Sequence, residues 1–266
     1  MPSTFASELS FALELAAESD EIAMHWFSRD PDVSTKEDGT LVTVADREIE
    51  QLLRRRIHDR FPTDGVLGEE AGLEPGESDR LWILDPIDGT NNYAWGIPIF
   101  GTLIGLRAGG RTVVGVVSAP ALGERYDAAT GAGARMNGSP ITVSDASTVE
   151  DARICFASWA GWAAIGLAER LSSVLTRCRR SRGFGDFWGH MLVARGAADA
   201  MAEPDLRIWD VAAMEIIVEE AGGRLTTLSG DPWGRVPPAD LYDCRQSCLT
   251  TNGPLHATLQ SELSDA

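Results

Sequence analysis

The chain has 266 residues, of which 44% are hydrophobic and 24% are charged, a balance typical of globular proteins and unlike that of disordered or fibrous ones. Its formal net charge is −17, from 23 basic and 40 acidic residues. This excess of negative charge repels nucleic-acid phosphates and anionic lipid headgroups, so we expect no nucleic-acid partner and no membrane partner. An anionic substrate would need bound divalent cations to neutralise its charge.

The first segment, residues 1–27, carries apolar residues at helical spacing and predicts an amphipathic helix. It lacks the basic opening and the uninterrupted apolar stretch of a secretory signal, and no other segment is apolar over the roughly 20 residues that span a bilayer. We therefore expect a cytoplasmic protein. Four cysteines fit that compartment as reduced thiols, and no further pair completes a zinc site: Cys155, Cys178, Cys244 and Cys248.

The rest of the first half predicts one more helix followed by a β-rich region. Helical apolar spacing covers residues 43–57 and ends before Pro62 and Asp64-Gly65. Strands are predicted at residues 81–84, 99–107, 112–118 and 133–136, with a tight turn at Asn137-Gly138.

From residue 151 onward strands alternate with helices. The pattern predicts a strand at residues 154–158 and helices at residues 164–178, 187–195 and 211–221. A seam near residue 145 would separate an N-terminal α+β half from a C-terminal α/β half, and we expect the two halves to pack as one domain over residues 1–266.

Five carboxylates come at the ends of apolar runs, where strands or helices deliver side chains to a common edge: Asp46, Glu69, Asp85, Asp88 and Asp210. Each alone would be read as a turn or capping residue. The segment from Asp85 to Thr90 is more informative, because a buried strand leads into two carboxylates held by Pro86 and followed by Gly89. Hard oxygen ligands placed in this way suit Mg²⁺.

Three motifs of the sequence closely resemble the signature motifs of the inositol monophosphatase superfamily, in the same order and at similar separations. They are Gly68-Glu69-Glu70, Asp85-Pro86-Ile87-Asp88-Gly89-Thr90 and Trp209-Asp210-Val211-Ala212-Ala213. The resemblance extends over nearly the whole chain. It implies a layered αβαβα sandwich of the α+β class, a homodimer, and Mg²⁺-dependent hydrolysis of a small phosphate monoester.

The same resemblance implies two or three Mg²⁺ ions. Glu69, Asp85 and the carbonyl of Ile87 would hold the first ion, while Asp85, Asp88 and Asp210 would hold the second. Asp46 would join Glu69 at a third and weaker site.

The catalytic roles are implied in the same way. Thr90 with Glu69 would orient the attacking water, and the backbone amides of Gly89 and Thr90 would receive the phosphate. Asp85 would act through its metals, which lower the pKa of bound water and screen the phosphate charge. Lys36 stands where the superfamily has a lysine near the waters of the third ion, whereas Asn91 stands where many relatives carry lysine.

The substrate is indicated by a region that resembles the actinobacterial-type histidinol-phosphate phosphatases of this superfamily, residues 183–188 with Ala202-Glu203-Pro204. Histidinol phosphate carries an ammonium and an imidazole that inositol lacks, and Asp186 with Glu203 would pair with them. A plainer reading makes Asp186 a helix N-cap and Glu203 a solvated loop residue.

Other functions stay open. One alternative is an inositol-1-phosphate phosphatase or a broad polyol phosphatase. Another is a metal- or phosphate-binding regulatory protein that has lost hydrolysis, but such a protein would be expected to have lost one of the motif residues, and all are present. Adenosine and fructose bisphosphate phosphatases are minor alternatives, because the chain shows no basic cluster for a second phosphate.

Overall fold

The computed structural model describes residues 5–27, 33–35, 41–237 and 240–264. The chain opens with helix α1 (Ala6–Phe27), a short antiparallel pair of strands, β1 (Val33–Thr35) and β2 (Leu41–Thr43), and helix α2 (Val44–Arg60). Thr43 caps α2 through a capping box with Asp46, which explains why the helix begins where the sequence predicts. The predicted first helix is confirmed from Ala6 onward.

A mostly antiparallel sheet of eight strands follows. In chain order its strands are β3 (Gly65–Gly68), β4 (Gly72–Glu74), β5 (Leu81–Asp88), β6 (Gly101–Ala108), β7 (Arg111–Ala119), β8 (Glu124–Ala129), β9 (Ala134–Met136) and β10 (Ser139–Pro140). Across the sheet the order is β10-β9-β8-β7-β6-β5-β3-β4, and only β3 and β5 run parallel. Helix α3 (Thr90–Ala94) lies between β5 and β6.

Strand β5 extends further than the sequence predicts. The apolar run at residues 81–84 predicts a strand that stops at Asp85, but pairing with β6 continues to Asp88. A bulge interrupts the register there, since Asp85 lies opposite Leu103 and Asp88 lies opposite Gly101. Between these two pairs β5 has two residues and β6 has one, so one residue of β5 is extra.

The second sheet has five strands in the order β12-β11-β13-β15-β14. Its strands are β11 (Arg153–Phe156), β12 (Arg180–Arg182), β13 (Ala200–Arg207), β14 (Arg224–Thr226) and β15 (Arg245–Thr251). The helices of this half are α4 (Trp159–Ala164), α5 (Ala168–Arg177), α6 (Asp186–Ala194), α7 (Ile208–Glu220) and α8 (His256–Leu263).

The packing forms five layers. Helices α1 and α2 cover one face of the eight-stranded sheet, where they bury Trp82 and Ile104, while α7 covers the other face with Ile83 and Leu103. Helix α6 packs on α7 and on β13, and the far face of the second sheet is covered by α5 and α8. The predicted αβαβα sandwich is confirmed.

Two predictions of the C-terminal half are wrong in detail. The helix predicted at residues 164–178 begins later, as α5, because Gly166 adopts φ +76°, outside the helical region, and α4 is a separate helix that ends at Ala164. Strand β13 was not predicted, since Glu203 and Pro204 interrupt its apolar pattern; Glu203 is a strand residue and not a solvated loop residue. The single-domain organisation with a seam near residue 145 stays a prediction.

Candidate active site

Three carboxylates from distant parts of the sequence meet between the two sheets. Asp85 and Asp88 come from the end of β5, and Asp210 comes from the first turn of α7. One oxygen of each can be chosen so that all three lie within 4.8 Å of one another. Such spacing allows the three side chains to share one divalent cation.

Asp210 is positioned by the way α7 begins. The backbone N–H of Arg207 donates a hydrogen bond to Asp210 Oδ2 at 2.7 Å, so one oxygen is used to cap the helix. Strand β13 ends at Arg207 and α7 begins at the next residue. The strand-to-helix junction therefore delivers this carboxylate to the site.

Asp88 is positioned by a different helix. Its Oδ2 accepts a hydrogen bond of 2.6 Å from the backbone N–H of Phe187, in the first turn of α6. Asp85 is 1% exposed, and its Oδ1 is buried without a hydrogen-bond partner in the described residues. A buried carboxylate oxygen left in this state is what a cation-binding site needs.

The remaining sequence-predicted acids lie beside this cluster. Glu69 follows β3, whose parallel neighbour is β5, and its backbone N–H donates to the carbonyl of Leu84 at 3.2 Å. Asp46 is fully buried in the first turn of α2, and its Oδ2 accepts from Thr43. Both lie close enough for their charges to raise the pKa of Asp85.

The negative charges of the carboxylates repel one another. Burial, together with the charges of Glu69, Asp88, Asp210 and Asp46, raises the pKa of Asp85 well above its usual range. Burial is also the largest cause that raises the pKa of Asp88, and it raises the pKa of Asp210 to about 8. Adjacent carboxylates that resist ionisation together are stabilised by divalent cations, and the all-oxygen donor set fits Mg²⁺.

The backbone after the cluster turns sharply at Gly89. This residue adopts φ +82°, and an added Cβ would lie 2.9 Å from the carbonyl oxygen of Ile99. Thr90 begins α3, and its Oγ1 donates to the carbonyl of Ile87 at 2.9 Å. The hydroxyl predicted to orient water and the carbonyl predicted to bind metal are therefore in direct contact.

A further pair of acids consists of Asp186, at the start of α6, and Glu203, on β13. Asp186 accepts a hydrogen bond of 2.9 Å from Asn92 Nδ2, and burial with the charge of Glu203 raises its pKa to about 6. The N-cap residue of α6 is Gly185, and Asp186 follows it at φ +55°, so the N-cap reading is wrong. Its charge is also among the causes that raise the pKa of Asp88, which connects the two groups of acids.

Three supporting residues were not identified from the sequence. Asn92 holds Asp186 as described, His190 lies 3.6 Å from Glu203, and Glu50 accepts from the backbone N–H groups of Glu70 and Ala71 at 2.8 and 3.0 Å. Glu50 is buried on α2, and an acid on an apolar helix face is the pattern that would have identified it. Lys36 lies outside the described residues.

The comparisons with known proteins agree with this geometry. A model of the inositol monophosphatase family matches residues 6–264. A histidinol-phosphatase of Mycobacterium tuberculosis is 42% identical over 265 residues, which cover 97% of this chain and 98% of that protein. A histidinol-phosphatase of Streptomyces coelicolor is 42% identical over 239 residues, 86% and 89% of the two chains.

A solved structure is also similar to this chain over nearly its whole length. The solved structure of an IMPase from Thermotoga maritima aligns with a TM-score of 0.85 at 30% identity, over 97% of this chain and 96% of that one. The protein is thus a layered α+β protein whose carboxylate cluster could hold a divalent metal ion. The chain belongs to the inositol monophosphatase family, as its three motifs predict.

Proposed function

We propose that this protein is a Mg²⁺-dependent histidinol-phosphate phosphatase, which converts L-histidinol phosphate and water to L-histidinol and phosphate. The observation that carries the proposal is the position of Asp186 and Glu203 beside the carboxylate cluster: Phe187, next to Asp186, donates a hydrogen bond to Asp88, and Glu203 Oε1 lies 3.9 Å from the position of a Cβ on Gly185. It is supported by the two relatives that are 42% identical over most of the chain and bear the name histidinol-phosphatase. Such a reaction belongs to histidine synthesis.

The metal would be held by Asp46 and by residues that the three motifs contribute. Asp85, Asp88 and Asp210 would hold one Mg²⁺, Glu69 with Asp85 and the Ile87 carbonyl a second, and Asp46 with Glu69 a third. Bound Mg²⁺ supplies Lewis-acid neutralisation of the phosphate oxygens and a lowered pKa for a coordinated water.

Side chains and backbone amides of the protein would orient the attacking water and bind the phosphate. Thr90 Oγ1, which lies 2.9 Å from the Ile87 carbonyl, would orient the attacking water together with Glu69. The amides of Gly89 and Thr90 would bind the phosphate and stabilise its charge in the transition state. The water would attack phosphorus and the histidinol oxygen would leave with a proton from water, so no covalent intermediate on the protein is required.

Asp186 and Glu203 would recognise the rest of the substrate. Glu203 is 6% exposed, and a carboxylate with so little water around it gains more from a cationic partner than a solvated one does. An ammonium or a protonated imidazole repays the desolvation of these acids, whereas a polyol hydroxyl does so only weakly.

The experiment that tests the proposal measures phosphate release from L-histidinol phosphate and from inositol 1-phosphate, each with Mg²⁺ and with EDTA. We expect kcat/KM to be at least about a hundredfold higher for histidinol phosphate, because charged pairs discriminate strongly against a substrate that lacks the charge. Equal or reversed values would leave an inositol-type phosphatase as the better description. Activity that survives EDTA would contradict the metal site.

A homodimer and a cytoplasmic location belong to the same proposal. The homodimer is implied by the family resemblance, and the cytoplasmic location was predicted from the sequence. None of the helices in the described residues is long and apolar enough to cross a bilayer. Light scattering of the purified protein measures the oligomeric state, and fractionation of the source cells measures the location.

A further inference from the structure

Two buried polar atoms face each other near the start of α6 without forming a hydrogen bond. His190 Nε2 and Glu203 Oε1 are 3.6 Å apart, their side chains are 0% and 7% exposed, and neither atom has a hydrogen-bond partner within the described part of the chain. Folded proteins leave few buried polar atoms in this condition, because desolvation without a partner is unfavourable. The pair therefore requires an explanation beyond packing.

The other nitrogen of the same imidazole is held firmly. His190 Nδ1 lies 2.8 Å from Oγ1 of Thr250, a fully buried residue on β15, and Cys248 Sγ lies 4.0 Å from that hydroxyl. An ionised Glu203 offers only lone pairs to its neighbours, so the attractive arrangement has the hydrogen of the imidazole on Nε2. Nδ1 then accepts from the Thr250 hydroxyl, which fixes the tautomer.

Glu203 is directed toward the end of α6 that carries Asp186. Its Oε1 lies 3.9 Å from the position that a Cβ on Gly185 would occupy, and Gly185 directly precedes Asp186. The strand register of β13 is interrupted after Glu203, so the backbone bends away there. Two carboxylates from different elements thus line one side of the site, and each has a nitrogen beside it: Asn92 Nδ2 donates a hydrogen bond to Asp186, and His190 Nε2 lies 3.6 Å from Glu203 Oε1.

We propose that His190, with its tautomer set by Thr250, is a positioning residue that orients the Glu203 carboxylate to receive a positively charged nitrogen of the substrate. This inference rests on the proposed function and names a residue that contributes to the substrate specificity of the enzyme. A neutral N–H donor suits this role, because it orders one carboxylate oxygen without cancelling the negative charge that attracts the substrate. An arginine or lysine in its place would neutralise that charge.

Two neighbouring threonines on β15 provide a matched test. Thr250 and Thr251 are both buried and each contacts the Nδ1 of a histidine, but the partner of Thr251 is His256, which contacts Thr226 on its other side. We expect Thr250→Val to raise KM for L-histidinol phosphate about three- to tenfold with kcat within about twofold, the size of one weakened charge-assisted contact. Thr251→Val should leave that KM unchanged.

A second pair of variants separates donation from packing. His190→Phe fills the space without a donor, and we expect it to raise KM for L-histidinol phosphate about tenfold or more. His190→Gln restores an amide N–H near the position of Nε2 and should recover most of that loss. Thermal melts of all four variants identify any that are unfolded, and if His190→Phe does not fold, Thr250→Val and His190→Gln still decide the question.

Inositol 1-phosphate, which has no nitrogen, is the reference substrate. Unchanged KM for it in Thr250→Val and His190→Phe, with a raised KM for histidinol phosphate, supports the inference. Equal effects on both substrates, or no effect on either, overturn it and leave His190 as a packing residue. A wild-type enzyme that shows no preference for histidinol phosphate overturns the proposed function itself, so the two failures are distinguishable.

Discussion

The backbone N–H of Phe187 donates a hydrogen bond to Asp88 Oδ2 at 2.6 Å, across 99 residues of sequence. Asp88 belongs to the eight-stranded sheet, and Phe187 lies in the first turn of the helix that carries Asp186 and His190. The end of the structure that would bind metal is thus joined directly to the end that would select the substrate. A change at Asp88 should affect both.

We expect Asp88→Asn and Asp210→Asn to lower kcat with histidinol phosphate by at least about a hundredfold, because each removes one negative charge from a site that must hold divalent cations. The same substitutions relieve repulsion between buried carboxylates, so the metal-free variants should melt at or above the temperature of the metal-free wild type. Phosphate release and thermal melts in EDTA measure the two effects. An active variant at either position would contradict the site.

The pH dependence of the metal-free protein follows from the raised pKa values. Asp210 has an ordinary pKa of 3.8, and in the folded chain it is raised to about 8. Between these values the folded state binds more protons than the unfolded state, so the free energy of unfolding falls as the pH rises. We expect the melting temperature in EDTA to fall by several degrees between pH 5 and pH 8, measured at constant ionic strength.

Mg²⁺ should reverse this trend, because it binds the deprotonated carboxylates of the folded state. The increase in melting temperature on adding Mg²⁺ should therefore be larger at pH 8 than at pH 5. Asp210→Asn serves as the control, since removing this titrating group should reduce the slope in EDTA. A metal-free melting temperature that rises with pH over this range would show that burial and mutual repulsion do not raise the pKa values of these carboxylates.

Asp186→Asn tests recognition of the substrate nitrogen. The amide keeps the size of the side chain and an oxygen for the Asn92 contact, and asparagine tolerates φ near +55°. We expect kcat/KM for L-histidinol phosphate to fall about ten- to a hundredfold, and kcat/KM for inositol 1-phosphate to change less than about threefold. Equal losses on both substrates would assign Asp186 a structural role.

Gly89 is expected to be intolerant of any side chain. Gly89→Ala would place a Cβ 2.9 Å from the Ile99 carbonyl oxygen in a residue at φ +82°, so we expect a loss of about 2–4 kcal/mol of stability and of nearly all activity. Gly96→Ala is the matched control, because Gly96 also has positive φ (+71°) but no atom within 4 Å of the added Cβ. It should lose about 1 kcal/mol and keep its activity. Denaturant unfolding and phosphate release compare the two.

The candidate metal-ligating acids could be found from the sequence because they end apolar runs, and a local pattern is visible without knowledge of the fold; their role as ligands stays a prediction. Asp85, Asp88 and Asp210 come together as those motifs predict, and Asp46 lies close enough for its charge to raise the pKa of Asp85. The continuation of β5 to Asp88 was missed, since proline and two acids break the apolar pattern and only pairing with β6 reveals the strand.

The contacts between distant segments could not be predicted. His190 has no second histidine at metal-ligand spacing on its helix. The role proposed for it depends on its contact with Thr250, on a strand 60 residues later. Asn92 likewise acquires a role only when Asp186 is brought beside it by folding. Such pairs leave no periodic signal, because their spacing in the chain is set by the whole topology.

The bulge in β5 has a consequence for how this protein can change. In a regular strand residues three apart point to opposite faces, so Asp85 and Asp88 would be separated by the sheet. The extra residue restores a common direction, and the count of residues between the two acids therefore matters as much as their identity. A one-residue insertion or deletion here should abolish function, while a conservative replacement of Ile87 should be tolerated.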